Sequence, residues 1–267
     1  TMCYAVGAKP LNKRLDILIS RLVLNHFVDS ITVRDGYSRQ VLERAGVRRK
    51  VVVSADPAVS IENTSAKLRE TRTDSPLVGA CLKDYYHEDL ADIRRYLNYE
   101  TYIRNITNEF DSAVERSGCT FAMIPSNPAD VGDMGKIRNA MNHKSRVVMC
   151  STAFTPSAFM TLASTLDVLI SQRLHPLILA GLLSVPVLAI PYSAKVRSYM
   201  EEIGAAEFCV EYSKLGTGEL SERLQEVFAR SGEMRMKASQ ALGALKVRAQ
   251  VSVDVMKKLM AQVDRKK

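Results

Sequence analysis

Short apolar runs alternate with amphipathic segments along most of this chain. Between residues 77 and 210 each apolar run has the length of a strand, and the hydrophobic positions between the runs recur at helical spacing. The pattern predicts strands at 77–82, 121–124, 147–149, 167–170 and 187–190, with a weaker one at 207–210. It predicts helices at 88–116, 130–141, 157–165, 174–183 and 196–203. Short apolar strands separated by helices indicate an α/β fold with a parallel sheet covered on both faces.

Residues 1–60 repeat this alternation on a smaller scale. Strands are predicted at 2–6, 31–33 and 51–53, and Leu11, Leu15, Leu18 and Leu22 predict a helix at 11–24. A second helix is predicted to follow Gly36 and to end at 44. This segment looks like part of a Rossmann-like unit that is too small to close its own core. Because the chain starts inside a strand, we expect that an earlier segment is absent here.

A polar stretch and a helical tail complete the predicted organisation. Residues 61–76 are mostly polar and are interpreted as a linker between a first domain at 1–60 and a second at 77–231. Residues 232–267 are predicted to be helical, because their apolar positions keep a spacing of three to four residues. A stripe of this length has to pack on something, and we expect it to return to the first domain.

Composition and charge narrow the class of protein. The chain has 267 residues, of which 46% are hydrophobic and 25% charged, and its net charge is +8. That excess favours an anionic partner, but the chain lacks the aromatic and basic stacking motifs of RNA-binding proteins, so no nucleic acid is expected. No apolar run is long enough to span a membrane, and no signal peptide is expected. Five widely spaced cysteines without a Cys-x-x-Cys pair favour a reducing compartment and argue against zinc.

One short run, 171–175, has the residues that anion chemistry needs. It follows the predicted strand at 167–170 and opens the next helix, so it lies where ligands bind in open α/β sheets. Arg173 offers a permanent bidentate contact for phosphate or carboxylate, and His175 can bind phosphate or move a proton near neutral pH. The structural alternative is a buried arginine and a core histidine at a helix start.

Several segments together resemble the polysaccharide pyruvyltransferase family. They are 34–38 with Leu42, Gly46 and 56–58, then 157–170, and finally 171–175 continued by 185–186, 190–192 and 195–196. The resemblance covers about residues 1–205. It implies a GT-B-like fold of two Rossmann-like domains with a C-terminal helix that returns to the first. Family members usually carry a further N-terminal segment with a glycine-rich turn, which this sequence does not show.

The resemblance also implies a reaction. The family moves a pyruvyl group from phosphoenolpyruvate to two hydroxyls of a sugar, which forms a cyclic ketal and releases phosphate. Phosphoenolpyruvate carries about three negative charges, so its binding requires paired cations. No metal or cofactor is expected beyond this donor. The expected partners are phosphoenolpyruvate and a free or lipid-linked saccharide, in the cytoplasm and in peripheral contact with the anionic inner face of the membrane.

Each candidate residue has a role under this interpretation. His175 and Arg173 are the predicted catalytic pair, at the mouth of a cleft between the domains. The predicted substrate contacts are Arg34, Lys195, Ser171 and Asp35. The alternative for Arg34 is an ion pair with Asp35 or Asp56. The other three histidines are predicted to lie on the surface, and the acidic residues at 130 and 133 to mark a helix start.

Two other functions remain open from the sequence. A GT-B glycosyltransferase that uses a nucleotide sugar would share the fold, the turn at 171–175 and a cationic cleft. A non-catalytic binding module that lost its first lobe would keep the fold without turnover. Binding of a nucleotide diphosphate instead of phosphoenolpyruvate would distinguish the first alternative from pyruvyl transfer.

Overall fold

A computed structural model describes residues 1–62, 75–150 and 155–264 of the chain. These residues form two compact units. Residues 1–62 and the chain from 241 onward make the first, and the residues up to 240 that lie between make the second. Most of the predicted linker, 61–76, falls outside the described residues. None of the helices in the described part is long and apolar enough to cross a membrane.

The first unit contains a three-stranded parallel sheet. Its strands are β1 (Met2–Val6), β2 (Ser30–Val33) and β3 (Val51–Val53), in that spatial order. Two helices connect them, α1 (Arg14–His26) and α2 (Gly36–Arg44). The buried core of the unit lies around the central strand and is formed by Val28, Ile31, Val33, Leu42, Val47 and Val51. The predicted order of strands and helices is confirmed here.

Helix α1 differs from the expectation for an amphipathic helix. The leucine spacing predicted the helix, but none of its 13 residues is buried. Leu15, Leu18 and Leu22 face solvent, and the opposite side packs against the core through Leu24. Periodicity identifies a helix, but it does not determine which side of that helix faces the protein.

The second unit contains a five-stranded parallel sheet. Its strands in chain order are β4 (Leu77–Cys81), β5 (Thr120–Met123), β6 (Val147–Met149), β7 (Val168–Ser171) and β8 (Val187–Ala189). Their spatial order is β6-β5-β4-β7-β8, so the chain crosses from one side of β4 to the other between β6 and β7. That reversal is the switch point where open α/β sheets bind ligands. All five predicted strands are present and parallel.

Helices cover this sheet. They are α3 (Tyr99–Ser117), α4 (Asp130–Ala140), α5 (Pro156–Ala163), α6 (Leu174–Leu182), α7 (Ala194–Glu202) and α8 (Glu219–Ala229). The predicted helix at 88–116 is shorter than expected. Its first part forms two 3-10 turns, Glu88–Leu90 and Ile93–Arg95. The helix starts later because the Asn98 side chain accepts a hydrogen bond from the Thr101 amide and caps it there.

The weak strand predicted at 207–210 is wrong. Residues Ala206–Phe208 form a 3-10 turn instead, and only Cys209 makes a parallel bridge, to Ala189. The turn buries Phe208, and Glu207 forms an ion pair with Arg230. The apolar alternation therefore reflects one buried ring and one bridge and not a ladder of strand hydrogen bonds.

The C-terminal tail is one helix, α9 (Ser231–Asp264). From 241 onward it belongs to the first unit. Its Ser252 hydroxyl donates to the Thr32 hydroxyl of β2 over 2.9 Å, and the Ser54 hydroxyl donates to the carbonyl of Arg248 over 3.1 Å. Leu242, Leu245 and Ala249 are buried along the same helix.

A buried carboxylate on α3 stabilises the start of α8. Glu109 accepts hydrogen bonds from the amides of Gly216 and Gly218 through one oxygen and from the amide of Ser221 through the other, at 2.8–3.1 Å. We expect Glu109→Ala to lower the free energy of unfolding by about 2 kcal/mol, because one buried and two partly buried hydrogen bonds lose their acceptor. Urea unfolding measures this change.

Glu115→Ala is the matched control, because Glu115 lies on the same helix but is exposed. This control should change the free energy of unfolding by less than about 0.5 kcal/mol. An equally small change for Glu109→Ala would show that water replaces the carboxylate without loss.

Candidate active site at the carboxyl edge of the second sheet

Polar side chains that follow four of the strands lie at the carboxyl edge of the second sheet. Lys83 follows β4, Asp130 opens α4 after β5, Arg173 follows β7 and Lys195 lies in the first turn of α7 after β8. Parallel strands end at the same edge, so residues distant in sequence become neighbours there. The parallel order of the strands therefore brings these four side chains to the same edge of the sheet.

Ser171 fixes the turn after β7. Its side chain is fully buried, and its hydroxyl accepts from the Arg173 amide and donates to the Arg173 carbonyl, both at 2.9 Å. Arg173 has an extended backbone and is the N-cap residue of α6. The sequence predicts Ser171 as a substrate contact, and the structure shows its hydroxyl bonded to the backbone of Arg173.

Arg173 forms an ion pair with a buried carboxylate. Its Nη2 lies 2.5 Å from Oδ1 of Asp130, which is fully buried and also accepts from the Asp84 amide. The Nε atom of Arg173 and Oδ2 of Asp130 are buried and have no hydrogen-bond partner within the described residues. The Arg173 side chain as a whole is 19% exposed, so an anionic ligand would contact it through the remaining guanidinium N–H groups.

Two lysines share a second carboxylate beside this pair. Lys83 Nζ lies 2.7 Å and Lys195 Nζ 3.9 Å from Oδ2 of Asp89, and both ammonium groups lie over the ring of Tyr192, at 4.4 and 5.0 Å from its centroid. Lys83 is only 3% exposed, and this burial lowers its pKa while Asp89 opposes the shift. The positive charge of Arg173 also lowers the pKa of Lys83, so these two cations lie close enough to repel each other.

We call Arg173, Lys83, Lys195, Asp130 and Asp89 the anion cluster. Each of its three cations faces one of its two carboxylates in a region largely removed from solvent. A bound phosphate or carboxylate would give these cations a further charge-assisted contact. Of these residues, the sequence predicted only Arg173 and Lys195 as site residues.

Gln172 connects two of the loops that form the cluster. It is fully buried, its Oε1 accepts from the Lys83 amide over 2.6 Å, and its Nε2 donates to the Tyr102 hydroxyl over 3.1 Å. The side chain therefore fixes the loop after β4 against the loop after β7. The sequence assigned no role to this position, because its partners lie 70 and 89 residues away.

Two histidines lie differently from each other. His175 is exposed on the first turn of α6, two residues after Arg173. His87, predicted as a surface residue, is partly buried, and its Nδ1 accepts from the Asp89 amide over 3.1 Å. Burial first, and then the charge of Lys83, lower the pKa of His87, so its neutral form predominates at neutral pH. The exposed residues on either side of it hid this environment from the sequence pattern.

The predicted residues of the first unit form an ion-pair group of their own. Arg34 Nη1 lies 3.0 Å from Asp56, and its Nε lies 3.3 Å from Asp35. Asp35 also caps α2 by accepting from the Ser38 amide over 2.6 Å. The ion pair considered as an alternative for Arg34 is therefore formed. With two carboxylates beside one guanidinium, this group has no excess positive charge.

Comparison with known proteins places this chain in a family. The family model for polysaccharide pyruvyl transferase matches residues 1–194. The chain belongs to this family. The match includes Arg34, Lys83, Arg173 and His175, and it ends one residue before Lys195. No curated protein matches the chain significantly. Among the described residues, no group of three histidine, cysteine, aspartate or glutamate side chains is placed to hold a metal ion.

Solved structures support the fold. A glycosyltransferase from Rickettsia africae is 9% identical with a TM-score of 0.64, and covers 95% of this chain and 69% of its own. A UDP-N-acetylglucosamine 2-epimerase from Rickettsia bellii is 14% identical with a TM-score of 0.60, at 99% and 68% coverage. The UDP-GlcNAc 2-epimerase from Methanocaldococcus jannaschii is 12% identical with a TM-score of 0.53, at 85% and 62% coverage.

At such identities the likeness shows the fold alone. It agrees with the predicted α/β class of two Rossmann-like domains. This chain spans 62% of the length of the M. jannaschii epimerase.

Proposed function

We propose that the protein transfers a pyruvyl group from phosphoenolpyruvate to two hydroxyls of a saccharide and releases phosphate. Family membership supports the reaction class. The observation that carries the donor assignment is the convergence of Arg173, Lys83 and Lys195 at the carboxyl edge of the second sheet. A small ligand with both a phosphate and a carboxylate matches such a group of cations.

The reaction has two steps at one carbon, an addition followed by a substitution. A general acid protonates the methylene carbon of phosphoenolpyruvate, which leaves an oxocarbenium-like centre at the adjacent carbon. A saccharide hydroxyl attacks this centre and gives up its proton. A second hydroxyl then displaces phosphate as the carbon–oxygen bond to phosphate breaks, and its proton leaves with the phosphate or a base. The product is a cyclic ketal, and the charges on the departing phosphate need cationic stabilisation.

The anion cluster supplies that stabilisation. Arg173 provides a planar, bidentate contact, and Lys83 and Lys195 each provide a compact positive charge. Asp130 holds the guanidinium and Asp89 holds the two ammonium groups before the ligand arrives, so little ordering is left for the moment of binding. Ser171 acts through Arg173 as a positioning residue.

One histidine takes the protonation step in this proposal. His175 is the general acid, because it is accessible and follows Arg173 on the same turn. His87 is not suited to act as the base, because its Nδ1 lone pair accepts the Asp89 amide and its other ring nitrogen then carries the proton. Arg34 and Asp35 are proposed as substrate contacts from the first unit. We place the reaction in the cytoplasm, since the five cysteines are free, as in a reducing compartment.

Titration calorimetry tests the donor. We expect phosphoenolpyruvate to bind more tightly than a panel of nucleotide sugars, and Lys83→Met to weaken its binding about tenfold or more, because one nearly buried charge-assisted contact is lost. Lys214→Met is the matched control on an exposed lysine and should leave the Kd unchanged. Tighter binding of a nucleotide sugar would replace this proposal with a glycosyltransferase.

A further inference from the structure

Helix α1 presents an apolar stripe to solvent. The stripe consists of Leu15, Leu18, Ile19, Leu22, Val23 and, at the helix end, Phe27. The exposed fraction of these six residues ranges from 41% to 66%. They recur at intervals of three and four residues, so they lie on one side of the helix. A surface helix normally turns such a side to the core, and contiguous exposed apolar patches mark interaction sites.

Cations flank the stripe. Arg14 and Arg21 are exposed on the helix itself. Arg21, Arg48, Arg49 and His26 line an open groove together with Leu18 and Leu22 of the stripe. Arg49 is held there, since its Nε donates to the carbonyl of Asn25 over 2.9 Å. The only acidic residue of the helix is Asp16.

We propose that α1 docks in the interface of a membrane rich in anionic lipids. An apolar helix side with basic residues at its edge is the pattern of helices that lie in the plane of the bilayer surface. The stripe would enter the region between head groups and acyl chains, and the four arginines would contact lipid phosphates. This inference needs no particular reaction at the anion cluster, so it stands or falls separately from pyruvyl transfer.

The size of the surface argues against a second copy as the occupant. A helix of 13 residues is about 20 Å long, and at a width of about 10 Å its side offers about 200 Å². Stable protein interfaces bury about 800 Å² on each partner. Symmetric pairing of α1 with α1 would also bring the same arginines close to one another. A bilayer surface requires no minimum interface area and brings no arginines close to those of α1. Its anionic phosphates also complement the positive charge beside the stripe.

Sedimentation with vesicles tests the proposal. We expect the full chain to bind vesicles with about one-third phosphatidylglycerol, to bind phosphatidylcholine vesicles far less, and to be released by salt. The double variant Leu18→Gln/Leu22→Gln should reduce the bound fraction about tenfold or more, and Arg21→Gln/Arg48→Gln should reduce binding only to anionic vesicles. Circular dichroism melts verify that each variant is folded.

The matched control is Val247→Gln/Met260→Gln, which changes two apolar residues on α9 that are more exposed than Leu18 and Leu22. It should leave vesicle binding intact. Three results would overturn the proposal: absence of binding to anionic vesicles, equal loss in the control, or unchanged binding in the leucine variant. Light scattering tests a second copy as the occupant, because a dimer that only the leucine variant dissociates would make this side a contact between copies.

Discussion

Arg173→Ala is expected to reduce kcat/KM for phosphoenolpyruvate about a thousandfold in the intact enzyme. The substitution removes a bidentate, charge-assisted contact to the donor and leaves the departing phosphate without its planar cation. Most of the loss should fall on the Kd for phosphoenolpyruvate, because the contact already forms in the ground state. The measurements are phosphate release with donor and saccharide acceptor, and calorimetry with the donor alone.

A loss of activity must be separated from a loss of folding. Removal of Arg173 also leaves the carboxylate of Asp130 buried without its ion-pair partner, which is destabilising in itself. The double variant Arg173→Ala/Asp130→Asn removes that unpaired charge, so it should melt closer to the parent protein while remaining inactive. Arg197→Ala on α7 is the control, since Arg197 pairs with Glu211 on the surface. Full activity in a folded Arg173 variant would refute the assignment.

The sheet was predictable from the sequence because its signals are local. Strand β6 occupies the predicted residues, and the other strands of the second unit shift by one residue at most. Continuous apolar runs such as 168–170 admit few other conformations once helices flank them. The start of α3 was missed, because the hydrophobic spacing continues upstream of the Asn98 cap. A single capping hydrogen bond decided that boundary, and periodicity does not report it.

Only part of the site was predictable from the sequence, because contacts between residues distant in sequence form the rest. Arg173 lies in a recognisable turn, but its partner Asp130 is 43 residues away, and the Gln172 contact to Lys83 spans 89. Such pairs exist only because parallel strands bring their ends together. The sequence correctly placed Asp130 at a helix start, yet that position alone does not reveal a carboxylate that holds the key cation.

His175→Ala is expected to lower kcat for phosphate release about a thousandfold, while the Kd for phosphoenolpyruvate changes less than about threefold. General acids supply rate factors of about a hundred to ten thousand, and the imidazole is proposed to protonate the methylene carbon. The side chain is exposed, so its removal leaves no cavity and the thermal melt should not move. This separation of kcat from Kd distinguishes the proton donor from Arg173, whose loss should raise the Kd.

His143→Ala is the matched control for this experiment. Its imidazole is also exposed, and it pairs with Glu115 on the surface of the same unit. The control should keep the parent kcat, so that any effect of His175→Ala belongs to the turn after β7 and not to the loss of a histidine as such. Retention of full turnover by a folded His175→Ala enzyme would transfer the acid role to another group. His87 would be substituted next, because its ring hydrogen-bonds to the amide of Asp89, the residue that holds Lys83.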